Sequence, residues 1–460
     1  MAFCRIINRW RCKRRGGFDL KAKKHIRISQ CMIVKNEEKN IERALSWGKD
    51  MMWEQIVVDT GSTDRTAELA REMGAKVFSL EWPEDFAAAK NYAIDQAKGE
   101  WIAFLDADEY MMPDDATKLR QILEQMPEEQ YDGISTGWQQ LNDERNIFAS
   151  ATQVRFFRNL SDIRYRRKIH EQLVSLSGRK LHILDAVREF SIFHTGYQSE
   201  TSQKKRGRNK KLILEELKKC PNDYEMMGYM GDECLGETDM DQAEEWYRRS
   251  VEQMPADLKE YDQRSAVTFT KLLMLLADKK DAVWEKLEEI YIQAVHAFPS
   301  EADFDYIAGR FFAAHEQPGK AVGYLELALE KLNTYGCTNK ALFLAGNLED
   351  AYAVLARCCY ESGEVGKCVS YAVSYLKYDR YQMQLLHWLF KALFQDNGAV
   401  QDKEKEETVM EFLSRLYDVS ALKDRLFLIK TAQKAGCKGF ADYASDCFFT
   451  LEEQKMLDLQ

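Results

Sequence analysis

Apolar runs at His25–Val34, Gln55–Val58, Ala75–Leu80 and Trp101–Leu105 alternate with stretches whose apolar residues recur every three or four positions. Ile41, Ala44, Leu45 and Trp47 share one helical face within Lys39–Lys49. Thr66–Met73 and Phe86–Lys98 follow the same period, and Gly74 and Gly99 stand where helices end. Short crossovers between such strands and helices predict a parallel sheet built from βαβ units. From Asp132 the period shortens. Gly133–Trp138, Gln153–Arg158 and Ser191–His194 are short β-like runs without long helices between them, and they predict an antiparallel extension completing a domain over 25–200. Ser199–Arg208 is polar and basic, as a linker leading into a helix would be, so 201–220 is expected to be a linker helix, and strand signals then largely vanish.

The remainder, 221–460, repeats. Aligned on Pro221–Pro255, small or apolar residues fall into register at Gly231, Ala243, Tyr247, Ser250 and Pro255. Tyr291, Ala294 and Pro299 mark a second copy, Gly309, Ala321, Leu325 and Ala328 a third, and Ala356, Gly363, Cys368 and Ala372 a fourth. The unit is about 34 residues of helix-turn-helix, the tetratricopeptide length. Tyr381–Gln395 and Val409–Tyr417 are expected to be further helical hairpins.

Composition narrows this picture. With 460 residues the chain is too long for one core, and 45% hydrophobic with 30% charged residues describes a soluble globular protein. The net charge of −10 argues against nucleic acid as a partner. The eleven cysteines lack metal-type spacing and fit reduced thiols in the cytoplasm. No apolar run reaches the ~18 residues of a membrane helix. Residues 1–24 form a basic tail without a signal-type apolar core, so at most a peripheral tether to anionic lipid or an acidic partner is expected.

The chemistry sits at the strand ends. Asp59 follows Ile56-Val-Val58, and Asp106-Ala107-Asp108 follows Ile102-Ala-Phe-Leu105. Acidic residues there are either turn and cap residues or ligands at the carboxyl edge of an open sheet. As ligands, two carboxylates suit a hard divalent cation, Mg²⁺ or Mn²⁺, that also holds phosphates. The glycine pattern of a dinucleotide fold is missing after the first strand. Lys90-Asn91, on the helix after Asp85-Phe86, could reach a sugar or phosphate bound at that edge, the alternative for Lys90 being a solvated helix face.

Ser29-Gln-Cys-Met-Ile-Val-Lys-Asn-Glu-Glu38, Ile56-Val-Val-Asp-Thr-Gly-Ser-Thr-Asp-Arg-Thr66, Asp85-Phe-Ala-Ala-Ala-Lys-Asn91 and Phe104-Leu-Asp-Ala-Asp-Glu109 resemble, in this order, the family 2 glycosyltransferases of the GT-A fold. Arg155-Phe-Phe-Arg158, Ile169-His-Glu171 and His194-Thr-Gly-Tyr197 resemble the subgroup with C-terminal tetratricopeptide repeats, which includes sublancin-type peptide S-glycosyltransferases. The resemblance implies an α/β fold followed by an all-α one: a GT-A, Rossmann-like nucleotide-diphospho-sugar transferase domain, then a tetratricopeptide-like α-solenoid. It implies an inverting, metal-dependent hexosyltransferase that uses a nucleotide-diphosphate sugar, uridine-linked for preference. Val34, Glu37, Asp59, Lys90, Asn91, Asp106 and Ala107 would bind the donor. Asp108 and His194, with Asp106, would hold Mg²⁺ or Mn²⁺, and Glu171 would be the general base. The Gln-x-x-Arg-Trp of processive polysaccharide synthases is not found.

The helical half would bind a peptide or protein acceptor or form a homodimer. A cell-envelope glycan or lipid carrier as acceptor, and a repeat scaffold with an inactive nucleotide-binding domain, are the alternatives. Among single residues, His170 and His194 have a packing alternative, and Glu171 could pair with Arg166 or Arg167. Arg155 and Arg158 share a face only if their strand is irregular.

Overall fold

Strand β1 (Ile28–Val34) is buried on both faces, which is why its sequence is an almost unbroken apolar run. It lies between β2 (Glu54–Asp59) and β4 (Trp101–Phe104), and β3 (Lys76–Ser79) extends the sheet beyond β2, all parallel. The helices between them are α1 (Ile41–Ser46), α2 (Thr66–Glu72) and α3 (Phe86–Asp95). Cys31 packs with Ile56, Val58 and Phe104 on one face, and Met32 and Val34 with Ala44, Val57 and Ala70 on the other. Register pairs Val34 with Asp59 and Cys31 with Phe104, so the ends of β2 and β4 emerge on one sheet edge with β1 between them.

These elements belong to a computed structural model that describes residues 26–126, 130–142, 145–195, 199–258, 262–336, 343–395, 402–450 and 452–454. The basic tail over 1–24 lies outside the described residues. The chain divides into two compact units, residues 1–237 and 238–460.

In the first unit the sheet continues through β5 (Glu109–Met111), β6 (Gly133–Leu141), β7 (Ile147–Arg158), β10 (Ile183–Asp185) and β11 (Ser191–His194). Strands β8 (Ile163–Arg166) and β9 (Gln172–Ser175) form a separate hairpin. The extension was expected to be antiparallel. Strand β7 does run antiparallel to β4 and β6, but β10 and β11 run parallel to β6, so the extension is mixed. Helix α4 (Pro113–Gln125) was not read from the sequence. It has Pro113 at its start, Asp114 and Asp115 in its first turn, and a buried stripe of Ala116, Leu119, Ile122 and Leu123. Helices α5 (Ser199–Lys219) and α6 (Tyr224–Gly236) complete the unit, which thus runs past the expected linker.

Among the described residues the second unit is all helical. The helices are α7 (Met240–Gln253), α8 (Gln263–Ala277), α9 (Trp284–Ala297), α10 (Asp303–Ala314), α11 (Pro318–Tyr335), the single turn α12 (Phe343–Gly346), α13 (Leu348–Glu361), α14 (Val365–Leu376), α15 (Met383–Phe394), α16 (Lys403–Leu413), α17 (Leu422–Lys434) and α18 (Lys438–Phe448). One turn geometry recurs. Glu316, Gly363 and Gly436 each have φ between 54° and 82°, two residues after one helix and two before the next. The aligned small residues pack inside: Ala243, Ala294, Ala321, Ala356 and Ala372 are fully buried. A Cβ on Gly309 would stand 2.6 Å from Leu325 Cγ, so α10 and α11 approach as closely as glycine allows. The expected order, α/β and then helical hairpins, is the observed one. No helix among the described residues is long and apolar enough to cross a membrane.

Candidate functional site

Beyond β4 the chain turns tightly. Glu109 N donates to Asp106 O at 3.0 Å, and Asp106 N donates to the Glu109 carboxylate at 3.0 Å. Ala107 packs with Met32 and Val34 in the core, so its side chain supports the turn from below. Glu109 is fully buried and holds the turn, accepting from Trp138 Nε1 at 2.7 Å and from Arg155 at 2.5 Å. Burial pushes the Glu109 carboxyl up, and the Arg155 guanidinium opposes it.

Sheet pairing brings in the histidine. Strand β11 lies antiparallel to β5 with His194 opposite Glu109, which sets His194 Nε2 3.3 Å from Asp108 Oδ2. The imidazole packs on Trp138 with centroids 4.8 Å apart. Thr195 donates from N and Oγ1 to the Asp108 carbonyl at 3.0 and 3.1 Å, and Arg43 donates to Thr195 Oγ1 at 2.7 Å. Burial would lower the His194 pKa, but the hydrogen bond and charge of Asp108 outweigh it and raise it above the usual value. The Asp108 carboxylate is a donor of the kind that Mn²⁺ and Mg²⁺ take, and the His194 imidazole facing it is a donor more usual for softer transition metals. Asp106, expected as a third ligand, instead directs its carboxylate at Lys90 and Arg155. Among the described residues no group of three or more His, Cys, Asp and Glu side chains is placed to hold a metal ion.

Lys90 is not on a solvated helix face. It is 3% exposed, faces Asp106 at 3.7 Å, pairs with Glu171, and sits over the rings of Phe104 and Tyr165 at 5.2 Å each. Burial would lower its pKa, but Asp106 and Glu171 together raise it well above the ordinary range, so it stays charged. Burial likewise works against the Asp106 carboxylate, yet Lys90, Arg155 and His194 bring it down to about 2. Arg155 reaches Asp106 at 3.2 Å because β7 is irregular there. Ile134 pairs with Phe156 and Ser135 with Val154, so Arg155 is the extra residue of a β-bulge, a device that re-aims a side chain. Arg158 lies over Trp101 instead, at 5.9 Å. Beside the cluster the Tyr165 hydroxyl is buried without a hydrogen-bond partner, and burial raises its pKa to about 12.

Glu171 follows a segment with two left-handed residues, Arg167 (φ 76°) and His170 (φ 50°), each costing on the order of 1–3 kcal/mol unless the surroundings impose it. Arg167 pairs with Asp223 and Glu225 rather than with Glu171. His170 stacks on Tyr229.

The other expected donor residues divide. Asp59 stands at the end of β2 on the same edge as Asp106, two strands or about 10 Å away, and accepts from Ser62 N at 2.9 Å. Asn91 ties α3 to β8: its amide bonds the Tyr165 carbonyl and N–H, each at 2.9 Å. The Val34 carbonyl is held by Thr60 N and Oγ1 at 2.9 and 3.0 Å. Glu37 N donates to Thr66 Oγ1 at 2.7 Å and its carboxylate accepts from Asn40 at 2.8 Å, so both shape the loop beside Asp59. Sequence reasoning gave no role to Glu109, Trp138 or Tyr165. Glu109 had a signal, being an acid directly after the Asp-Ala-Asp turn; Trp138 and Tyr165 had none.

Residues 29–187 match the family model described as Glycosyl transferase family 2. The chain is 35% identical over 240 residues to a TPR repeat-containing protein of Synechococcus elongatus, covering 49% of this chain and 57% of that one. It is 26% identical over 282 residues to the SPbeta prophage-derived glycosyltransferase SunS of Bacillus subtilis, covering 60% of this chain and 64% of the relative. The chain thus spans less than two thirds of the length of either relative. A Mycobacterium tuberculosis glucosyl-3-phosphoglycerate synthase, solved in complex with Mn²⁺, uridine diphosphate and glucosyl-3-phosphoglycerate, is 26% identical over 28% of this chain and 50% of its own, with a TM-score of 0.22. That score is too low to bear on fold or function.

Proposed function

We propose, from the premise that residues 29–187 form a family 2 glycosyltransferase domain, that the protein transfers a sugar from a nucleotide-diphosphate donor with inversion and with the help of Mn²⁺ or Mg²⁺. The observation that carries this reading is the convergence of Asp108 and His194 beside the Lys90–Asp106–Glu171 cluster on one sheet edge. Bound there through Asp108 and His194, the cation would offset the negative charge that develops on the leaving diphosphate. Asp59, two strands away, would accept from an imide N–H of uracil, which favours a uridine donor. Lys90 and Arg155 hold Asp106 ionised beside the phosphates and sugar. Glu171 takes the acceptor proton as the new bond forms at the anomeric carbon. Lys90 keeps the carboxylate oriented until the acceptor arrives.

The helical hairpins of 238–460 supply a repeated surface suited to an extended chain, so a peptide or protein is the acceptor this architecture favours. The domain reading is tested by incubating the protein with Mn²⁺ and a panel of nucleotide sugars and following release of the nucleoside diphosphate. We expect a uridine sugar to be turned over and Asp108→Ala to lower the rate by at least ~10²-fold. Nucleotide binding without turnover of any donor would favour the inactive-scaffold alternative.

A further inference from the structure

The segment that carries Glu171 is held from one side by helices that follow the family-matched residues 29–187. Arg167 pairs with Asp223 at 3.1 Å and also with Glu225. Lys168 Nζ pairs with Glu215 at 2.6 Å, and the His170 ring lies flat on Tyr229, centroids 3.5 Å apart and planes 4° apart. Asp223 is itself fixed, because it caps α6 by accepting from Met226 N at 3.0 Å. These anchors fall on or beside the two residues with left-handed backbone, Arg167 and His170, a conformation that non-glycine residues keep only where the surroundings impose it. The Lys168 carbonyl also accepts from Phe86 N at 2.8 Å, at the start of the helix that bears Lys90. One short segment therefore joins α5 and α6 to both members of the Lys90–Glu171 pair.

We propose that α5 and α6 are a positioning element for sugar transfer, with Tyr229 and Glu225 as the positioning residues that hold the Glu171 carboxylate at Lys90. The proposal rests on the reading of Glu171 as the general base. It gives the helices after residue 198 a part in the reaction apart from any acceptor recognition. On this proposal Tyr229 and Glu225 act through the Glu171 segment rather than on the donor, so their loss should slow the reaction and leave donor binding intact.

The test uses the full chain carrying Tyr229→Ala, Glu225→Ala, both together, and Tyr229→Phe, which keeps the stacked ring. Uridine diphosphate release is followed with Mn²⁺ and whichever of UDP-glucose, UDP-galactose and UDP-N-acetylglucosamine turns over fastest. The double variant should lose at least ~10-fold in kcat while KM for the donor stays within about twofold, and Tyr229→Phe should keep most of the rate. Independently of turnover, amide hydrogen exchange over 166–172 should quicken at least ~10-fold in the double variant and stay unchanged in β1 and β4. Unchanged exchange over 166–172, or kcat and KM moving together, would overturn the positioning role. Glu171→Gln is measured alongside. If it keeps the native rate, the base reading fails and this proposal with it. If it is slow while the helix variants turn over normally, the base reading stands and only the positioning role is lost.

Discussion

Lys90 shows how one buried charge organises the residues around it. Its ammonium is desolvated and is balanced by Asp106 and Glu171, with Arg155 adding a second positive charge. Removing a partner from such a set leaves an uncompensated charge, which costs more than the pair itself contributes. Lys90→Met should therefore lower stability by about 3 kcal/mol, read as a shift in the urea midpoint at constant slope. A second ion pair tests pH dependence away from the site. Asp132 is buried and accepts from both terminal nitrogens of Arg179, at 2.7 and 2.8 Å, and from His182 N at 2.8 Å. The Arg179 hydrogen bonds hold its carboxyl below the usual range, against a smaller opposing effect of burial. A lowered folded pKa gives stability that is present above the unfolded value of ~3.9 and lost as pH falls through the folded one. Asp132→Asn should cost about 1–2 kcal/mol at pH 7, and its deficit against the native protein should shrink as pH falls below ~3.9 in parallel urea melts.

At the scale of elements, two local irregularities do what regular structure would not. The bulge at Arg155 turns one side chain of a long strand toward Asp106 and Glu109. Sequence alternation alone could say only that Arg155 and Arg158 share a face if the strand is irregular. A bulge depends on the partner strand, so its presence was not written in β7. In the helical unit the repeat pattern was more legible, because each helix pair is closed by contacts local in sequence. At Gly309 the approach to Leu325 is close enough that a new Cβ would meet the Leu325 side chain and its backbone N. Gly309→Leu should destabilise the helical unit by about 1–3 kcal/mol through overpacking, seen as earlier loss of helical circular dichroism in a thermal scan. Gly319 has open space around its missing Cβ, so Gly319→Ala serves as a control and should leave that transition in place. Helix α4 went unread although its stripe has a clear helical period, and it packs into the same core as β4 and β6.

For the whole molecule, the division at residue 237 makes a prediction about truncation. A chain ending at 237 keeps α5 and α6 and the contacts they make with the Glu171 segment, so it should fold and bind uridine diphosphate. A chain ending at 198 lacks both helices. It should melt less cooperatively, as calorimetry of the two fragments would show. Equal behaviour of the two would mean that these helices are dispensable to the first unit. The order of the first four strands and three helices, the helical hairpins and the acidic strand ends were determined by sequence alone, because period, glycine placement and charge act over a few neighbouring residues. What joined Asp108 to His194, Lys90 to Glu171 and Arg155 to Glu109 was decided only by tertiary structure. Those pairs come from separate elements, and their meeting depends on sheet order, a bulge and an imposed left-handed turn, none of which leaves a mark in a window of local sequence.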